Sequence, residues 1–203
     1  MAAATHIHFV RHGDVENPRR VFYGRLPGFP LSERGLRQAR AAGAVLRKRP
    51  LAAIFSSPML RTRQTAECIA AEHPELSIAI SDLLNEVHTP LEGRTSKELT
   101  AGKRDAYQGT QPYEQPLGVL QRMHRFIGGV LGQYAGRHVV AVTHGDPIAF
   151  LMLWAKGLPL TTPQRLELYR GHLAKGSITT LSFRTTASQR PRVTYLEPPV
   201  ADD

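Results

Sequence analysis

Apolar residues along this 203-residue chain fall into short runs of strand length, alternating with longer stretches of helical spacing. His6–Val10 alternates loosely and ends apolar, which predicts a first strand. Beyond a loop rich in glycine and proline, Ser32 stands where it can cap a helix with the stripe Leu36, Ala39, Gly43 and Leu46. Leu31 and Leu36 occupy the staple positions around that cap. Leu51–Phe55 reads as a second strand, with Ser57 and Pro58 as the N-cap and first-turn proline of a helix reaching about Glu72. Leu76–Ile80 predicts a third strand. Helical spacing resumes with Leu117, Leu120, His124, Ile127, Leu131 and Tyr134, and His138–Val142 reads as a buried strand. Asp146 and Pro147 repeat the cap-and-proline pattern, opening a helix that Gly157 and Pro159 close. Ser177–Phe183 and Val193–Leu196 are the last predicted strands, and residues 198–203 read as a frayed tail.

From Glu86 to Pro116 the periodicity lapses into a polar stretch punctuated by Gly93, Gly102, Gly109, Pro90, Pro112 and Pro116. It reads as an insertion, or lid, with at most short helices, and loops of this length within a compact domain are usually functional. Strands alternating with helices predict one three-layer α/β/α domain over residues 1–203, with a mostly parallel sheet covered on both faces. In such sheets ligands sit beyond the carboxyl ends of the strands, which is where chemistry is to be sought.

Composition narrows the class. The chain is 41% apolar and 21% charged, as in soluble globular proteins, and long enough to bury a core without staples. A single cysteine, Cys68, excludes an intrachain disulfide or a multi-cysteine metal site and suits a reducing compartment. The first ten residues lack a basic region and are interrupted by His6 and His8, unlike a signal peptide. The longest apolar run, Ile148–Ala155, is far shorter than the roughly 20 residues of a membrane helix. These features predict a cytoplasmic protein with no membrane partner. The 26 basic residues against 17 acidic ones leave a net charge of +9, and 21 of the 26 are arginine. Such an excess invites an anionic partner, although arginine usage also follows coding bias. With one tryptophan, no nucleic-acid-binding signature and no dense basic tract, no nucleic acid is expected, leaving a phosphorylated small molecule.

Two predicted strands end alike. Phe9-Val10 runs into Arg11-His12-Gly13, and Ala141-Val142-Thr143 runs into His144-Gly145. A histidine directly after a buried strand stands at the sheet edge, and the following glycine lets backbone approach a ligand. One such histidine is more often structural; two in the same pattern point to function. Arg61, in the first turn of the helix after Ser57-Pro58, leaves the same edge, where its fork can hold phosphate oxygens bidentately. The alternative for Arg61 alone is a solvated charge paired along its helix. The helix begun near Asp146 adds its dipole there. Two histidines, two arginines and a helix start on one edge describe a phosphate pocket with a built-in nucleophile.

The chain resembles the histidine phosphatase superfamily, the phosphoglycerate mutase-like proteins, in its larger branch. The similarity is carried by Phe9-Val10-Arg11-His12-Gly13, Leu31-Ser32-Glu33-Arg34-Gly35 with Gln38-Ala39, Ser56-Ser57-Pro58-Met59-Leu60-Arg61-Thr62 with Gln64-Thr65-Ala66, and Thr143-His144-Gly145. The resemblance implies covalent catalysis through a phosphohistidine, with His12 as nucleophile, His144 as a phosphate ligand opposite it, and no metal or organic cofactor. An imidazole must be neutral to attack phosphorus, and Arg11 and Arg61 disfavour its protonation while stabilising the transferring group. The family takes the leaving group's proton from a carboxylate in the insertion, and Glu86 matches that position; a nearby phosphate dianion would raise its pKa. The run from Glu86 to Glu92-Gly93 is one residue shorter than the common family run, and Glu92 is held in reserve as the donor. Asn17 stands one position nearer Arg11 than in many members; it either faces substrate or shapes a turn. Gly13, Gly145 and Gly24 are expected near the phosphate, the last through its backbone. Asp146 is read as a helix cap. Arg104, Tyr107 and Tyr113 are insertion residues that could line the pocket.

These residues together predict a phosphomonoester phosphatase. Phosphoglycerate mutase-type transfer is the alternative, disfavoured because mutases of this type carry a larger insertion. A metal enzyme built on His12, His144 and a carboxylate, and a basic nucleic-acid-binding module, are the readings from other classes.

Overall fold

The computed structural model describes residues 3–95, 97–98, 113–184 and 190–200. Its order is β1 (Thr5–Arg11), α1 (Glu33–Leu46), β2 (Leu51–Ser56), α2 (Leu60–Ala70), β3 (Ile78–Ile80), a 3-10 turn (Asp82–Leu84), α3 (Pro116–Gln133), β4 (His138–Thr143), α4 (Gly145–Lys156), α5 (Thr162–Gly171), β5 (Ile178–Phe183) and β6 (Arg192–Leu196). The strands form one sheet in the order β3-β2-β4-β1-β5-β6. The pairs β2/β3, β2/β4 and β1/β4 are parallel, whereas β1/β5 and β5/β6 are antiparallel. The predicted α/β architecture with a mostly parallel centre is therefore the observed one.

Strand alternation divides the core. Ile7 and Phe9 of β1 with Val139 and Ala141 of β4 face a large cluster shared with α3 and α4. Val10 with Val140 and Val142 face a smaller one against α1 and α2. Helix α4 is buried at every position from Ile148 to Leu153, as its unbroken apolar run requires. It ends at Gly157, whose φ of 72° is the left-handed C-cap expected there. The chain makes β1, β2 and β3 first, then returns to insert β4 between β2 and β1. That reversal opens a crevice at the carboxyl ends of β1 and β4, the ordinary ligand position in such a sheet.

Ser32 caps α1 as predicted, its hydroxyl accepting from the Gly35 N–H at 3.1 Å, an interaction worth about 1 kcal/mol. Three other expectations are corrected. Ser57 does not cap α2: the N-cap is Met59, and the Ser57 hydroxyl is turned toward His144 instead. Asp146 does not cap α4, whose N-cap is His144; the carboxylate lies in the first turn and accepts from Arg165 and Tyr169. Helix α5 has no counterpart in the predicted elements, although Thr161, Thr162 and Pro163 open it with the same cap-and-proline pattern as its neighbours. The tail is seated at least as far as Pro198, which is buried. No helix among the described residues is long and apolar enough to cross a membrane.

Candidate active site

Strand β1 delivers Arg11 at its last position and His12 just beyond it; β4 delivers His144 in the corresponding place. The two imidazoles face each other edge to face with centroids 5.3 Å apart. Glycine makes this edge possible: a Cβ on Gly13 would stand 2.3 Å from the Gly35 carbonyl oxygen, and one on Gly145 would stand 2.2 Å from the Tyr169 hydroxyl. The Leu-Ser-Glu-Arg-Gly stretch thus packs its glycine directly under the first histidine's loop.

Arg61 joins the two histidines. It is the bulkiest of the fully buried side chains among the described residues, and a buried guanidinium is tolerated only when its donors are met. Its Nε donates to His12 Nε2 at 3.2 Å, and one terminal nitrogen donates to His144 Nδ1 at 3.1 Å and to the Gly24 carbonyl at 2.7 Å. The Tyr23 ring lies under the guanidinium, 4.6 Å from its carbon. These partners assign both tautomers. His12 donates from Nδ1 to the Gly13 carbonyl at 2.7 Å, leaving the lone pair on Nε2. His144 donates from Nε2 to Ser57 Oγ at 2.9 Å, and that hydroxyl donates to Asn85 Oδ1 at 3.2 Å. Burial first, then surrounding cations, lowers both histidine pKa values well below the usual range; for His12 the cations are Lys175, Arg61 and Arg11, with His144 beside them. Both rings are therefore neutral, so the 3.9 Å approach of Glu86 Oε2 to His144 Nδ1 is not an ion pair.

Tyr23 and Gly24, which contact Arg61, also line a cleft of about 310 Å³ whose other walls include Val21, Phe22, Glu86, Leu166 and Tyr169. Burial, then the neighbouring Asp146, raises the Glu86 pKa against the opposing pull of Arg61. Arg11 lines the same cleft; its guanidinium is stacked over Tyr169 at 5.2 Å and donates to the Leu173 carbonyl. Its buried Nε has no partner among the described residues. This arrangement can draw in an anion and present it with an imidazole lone pair.

Other expected site residues fall elsewhere. The Asn17 amide is held at both ends by the Val21 backbone, at 2.8 and 3.1 Å, closing its own turn. Gly24 contributes its carbonyl to Arg61. Glu92 accepts from the Arg25 N–H at 2.8 Å. Tyr113 packs on His88 at the base of the insertion, while Arg104 and Tyr107 lie outside the described residues.

Four residues that the sequence did not single out converge here. Lys175 donates to the Tyr23 hydroxyl at 2.9 Å, and burial with Arg11 and Arg61 nearby pushes its pKa well below the usual value. It is delivered by Gly176, whose N–H donates to the Arg11 carbonyl at 3.1 Å. Tyr169 and Arg165, on the unpredicted α5, hold Asp146 at 2.6 and 2.9 Å. Tyr23 is the fourth. Its only prior signal was its place beside Gly24.

The model of the histidine phosphatase superfamily, branch 1, matches residues 7–193. A Mycobacterium tuberculosis protein described as uncharacterized is 34% identical over 191 residues, covering 90% of this chain and 92% of that protein. A probable phosphoglycerate mutase of Yersinia pestis is 30% identical over 180 residues, 83% of each chain. Among solved structures, a mycobacterial glucosyl-3-phosphoglycerate phosphatase superposes with a TM-score of 0.81 at 26% identity, covering 97% of this chain and all of that one. The paired strand-end histidines, the arginine between them and these matches agree, and the chain belongs to branch 1 of the histidine phosphatase superfamily.

Proposed function

We propose that this protein is a phosphomonoester hydrolase that works through a phosphohistidine on His12. The observation that carries the proposal is the His12 tautomer: Nδ1 is spent on the Gly13 carbonyl, so the lone pair on Nε2 is turned toward Arg61. Arg61 and Arg11 bind the phosphate dianion, with Arg11 Nε gaining an acceptor, and His144 becomes a further ligand when the dianion's charge draws a proton onto its Nδ1 in place of the Arg61 contact. Lys175 stands on the adjoining Tyr23 hydroxyl, and the cations offset charge in the transferring group.

In the first step the Nε2–P bond forms and the ester P–O bond breaks. The leaving oxygen takes a proton from Glu86, which its raised pKa keeps available. In the second, water attacks phosphorus, Glu86 accepts the water's proton, and the P–N bond breaks to restore neutral His12. No metal or organic cofactor enters either step. The Arg61 guanidinium occupies the space between His12 Nε2 and His144 Nδ1 that a shared metal ion would need. The single cysteine supports a cytoplasmic location.

The test is a panel of p-nitrophenyl phosphate and metabolite phosphates, run beside isomerisation of 3-phosphoglycerate, with rapid quench for acid-labile protein phosphate. Hydrolysis with phosphate on wild-type protein and none on His12→Ala is expected. Isomerisation far outrunning hydrolysis would instead assign the mutase activity named for the Yersinia relative. Activity lost to chelation and restored by zinc or manganese would overturn the phosphohistidine.

A further inference from the structure

Beside the cleft, three segments meet on one carboxylate. Glu114 closes the insertion, pairing its N–H with the His88 carbonyl at 2.9 Å. Its Oε1 accepts from Arg122 Nε at 2.6 Å, while Oε2 accepts from Arg122 at 3.2 Å and from Arg25 at 3.0 Å. Arg122 comes from α3, and Arg25 from the loop that also carries Tyr23 and Gly24. Both guanidiniums reach past Glu114 to the same stretch of main chain. Arg25 Nε donates to the Glu86 carbonyl at 2.6 Å, Arg122 adds a longer bond to it at 3.5 Å, and Arg122 also donates to the Leu83 carbonyl at 2.7 Å.

We propose that Glu114 is a positioning residue for the Glu86 carboxyl, acting through Arg25 and Arg122. The inference rests on Glu86 being the proton donor. Two guanidiniums converging on one carbonyl repel each other unless an anion lies between them, and Glu114 is that anion. The Glu86 side chain is steered by the Val87 N–H, which donates to Oε1 at 2.9 Å, so the carboxyl's direction follows the main chain. Holding that main chain sets where the acid stands relative to the leaving oxygen, and a displacement well under a bond length matters to proton transfer. The arrangement also ties the acid to the base of the insertion and to the Arg25 loop, whose Tyr23 and Gly24 line the cleft.

A buried ion pair that only holds the fold together would lower activity on every substrate alike, through loss of folded protein. A positioning role predicts a different signature. Glu114→Gln should lower kcat/KM, which reports only the steps up to release of the leaving group, by about 10-fold on an alkyl phosphate while leaving kcat/KM on p-nitrophenyl phosphate, whose leaving group needs no acid, nearly unchanged. Glu86→Gln combined with Glu114→Gln should be no worse on the alkyl ester than Glu86→Gln alone. Should Glu114→Gln fold poorly, Arg25→Lys serves: Arg25 is partly exposed, and a lysine keeps the charge but cannot span the Glu86 carbonyl and the Glu114 carboxylate together. It should show the same leaving-group dependence with an unchanged Tm. Equal loss on both esters, no loss on either, or additive effects in the double variant would overturn the positioning role while Glu86→Gln keeps its signature. If Glu86→Gln itself treats the two esters alike, the acid assignment fails and the proposal falls with it.

Discussion

Strands β1 and β4 each carry histidines at both ends, and the two ends have opposite fates. At the amino-terminal end His6, His8 and His138 stack as a column, with centroids of His6 and His138 4.4 Å apart and of His8 and His138 5.3 Å apart. At the carboxyl end stand His12 and His144. Burial depresses the pKa at both ends, His8 to about 3 and the other two well below the ordinary value. Yet the column is satisfied within the sheet: His8 meets Thr180 Oγ1 at 2.8 Å and His138 at 3.0 Å, and His6 meets Ser182 Oγ at 2.9 Å. The carboxyl-end pair is bridged by a buried arginine that lies against Tyr23, a wall of the cleft. A shifted histidine is therefore not a site; what distinguishes the two ends is which groups the imidazole nitrogens face.

The sharpest challenge to this contrast is turnover. His12→Ala should lose at least about 10⁴-fold in kcat, whereas His8→Gln, distant and outside the cleft, should stay within about 3-fold of wild type. Comparable losses in steady-state assays would erase the distinction. Arg61→Lys removes the fork that meets both rings and should lower kcat by roughly 10²–10³-fold, with weaker inhibition by inorganic phosphate. Retained activity would mean the bridge is structural, like the column. Glu86→Gln should cost about 10²-fold in kcat/KM on alkyl phosphates and far less on p-nitrophenyl phosphate; if Glu92→Gln shows that pattern instead, the donor is one loop position away.

The remaining effect is on stability, and it belongs to the column. His8 is neutral when folded down to about pH 3, while an unfolded histidine takes a proton near pH 6.5. Between those values the unfolded state binds the extra proton. Stability is thus fully present above about pH 6.5 and falls as the pH drops toward 3, by up to about 1.4 kcal/mol per pH unit for this one group. His8→Gln, which keeps a hydrogen-bonding side chain without the titration, should make the acid slope shallower in urea melts recorded from pH 7 to pH 4. An unchanged slope would show that His8 does not carry this linkage.

How far the site could be read from the chain follows the range of the forces involved. A cap such as Ser32 bonds three residues away, and strand alternation repeats every second residue, so both leave marks in local order. The pairing of strand, histidine and glycine in two places is likewise local, and it located the sheet edge and the candidates His12, His144, Arg11 and Arg61. Ser57 illustrates the limit. In sequence it has the form of a cap, but in space His144, 87 residues on, offers its hydroxyl a buried partner. Asp146 follows the same rule: in sequence it has the form of a cap, but its partners Arg165 and Tyr169 sit on α5, a helix with too weak an apolar stripe to mark the sequence.

By itself, then, the sequence determined the architecture and the sheet edge at which His12, His144, Arg11 and Arg61 stand. Only the tertiary structure decided which ring nitrogens are bare, that Lys175 rests on Tyr23 from 152 positions away, and that Glu114 stands between the two arginines gripping Glu86. Periodicity reports the backbone geometry of near neighbours. The electrostatics of a site depends on charges brought together by folding, and their separation along the chain carries no trace of their distance in space.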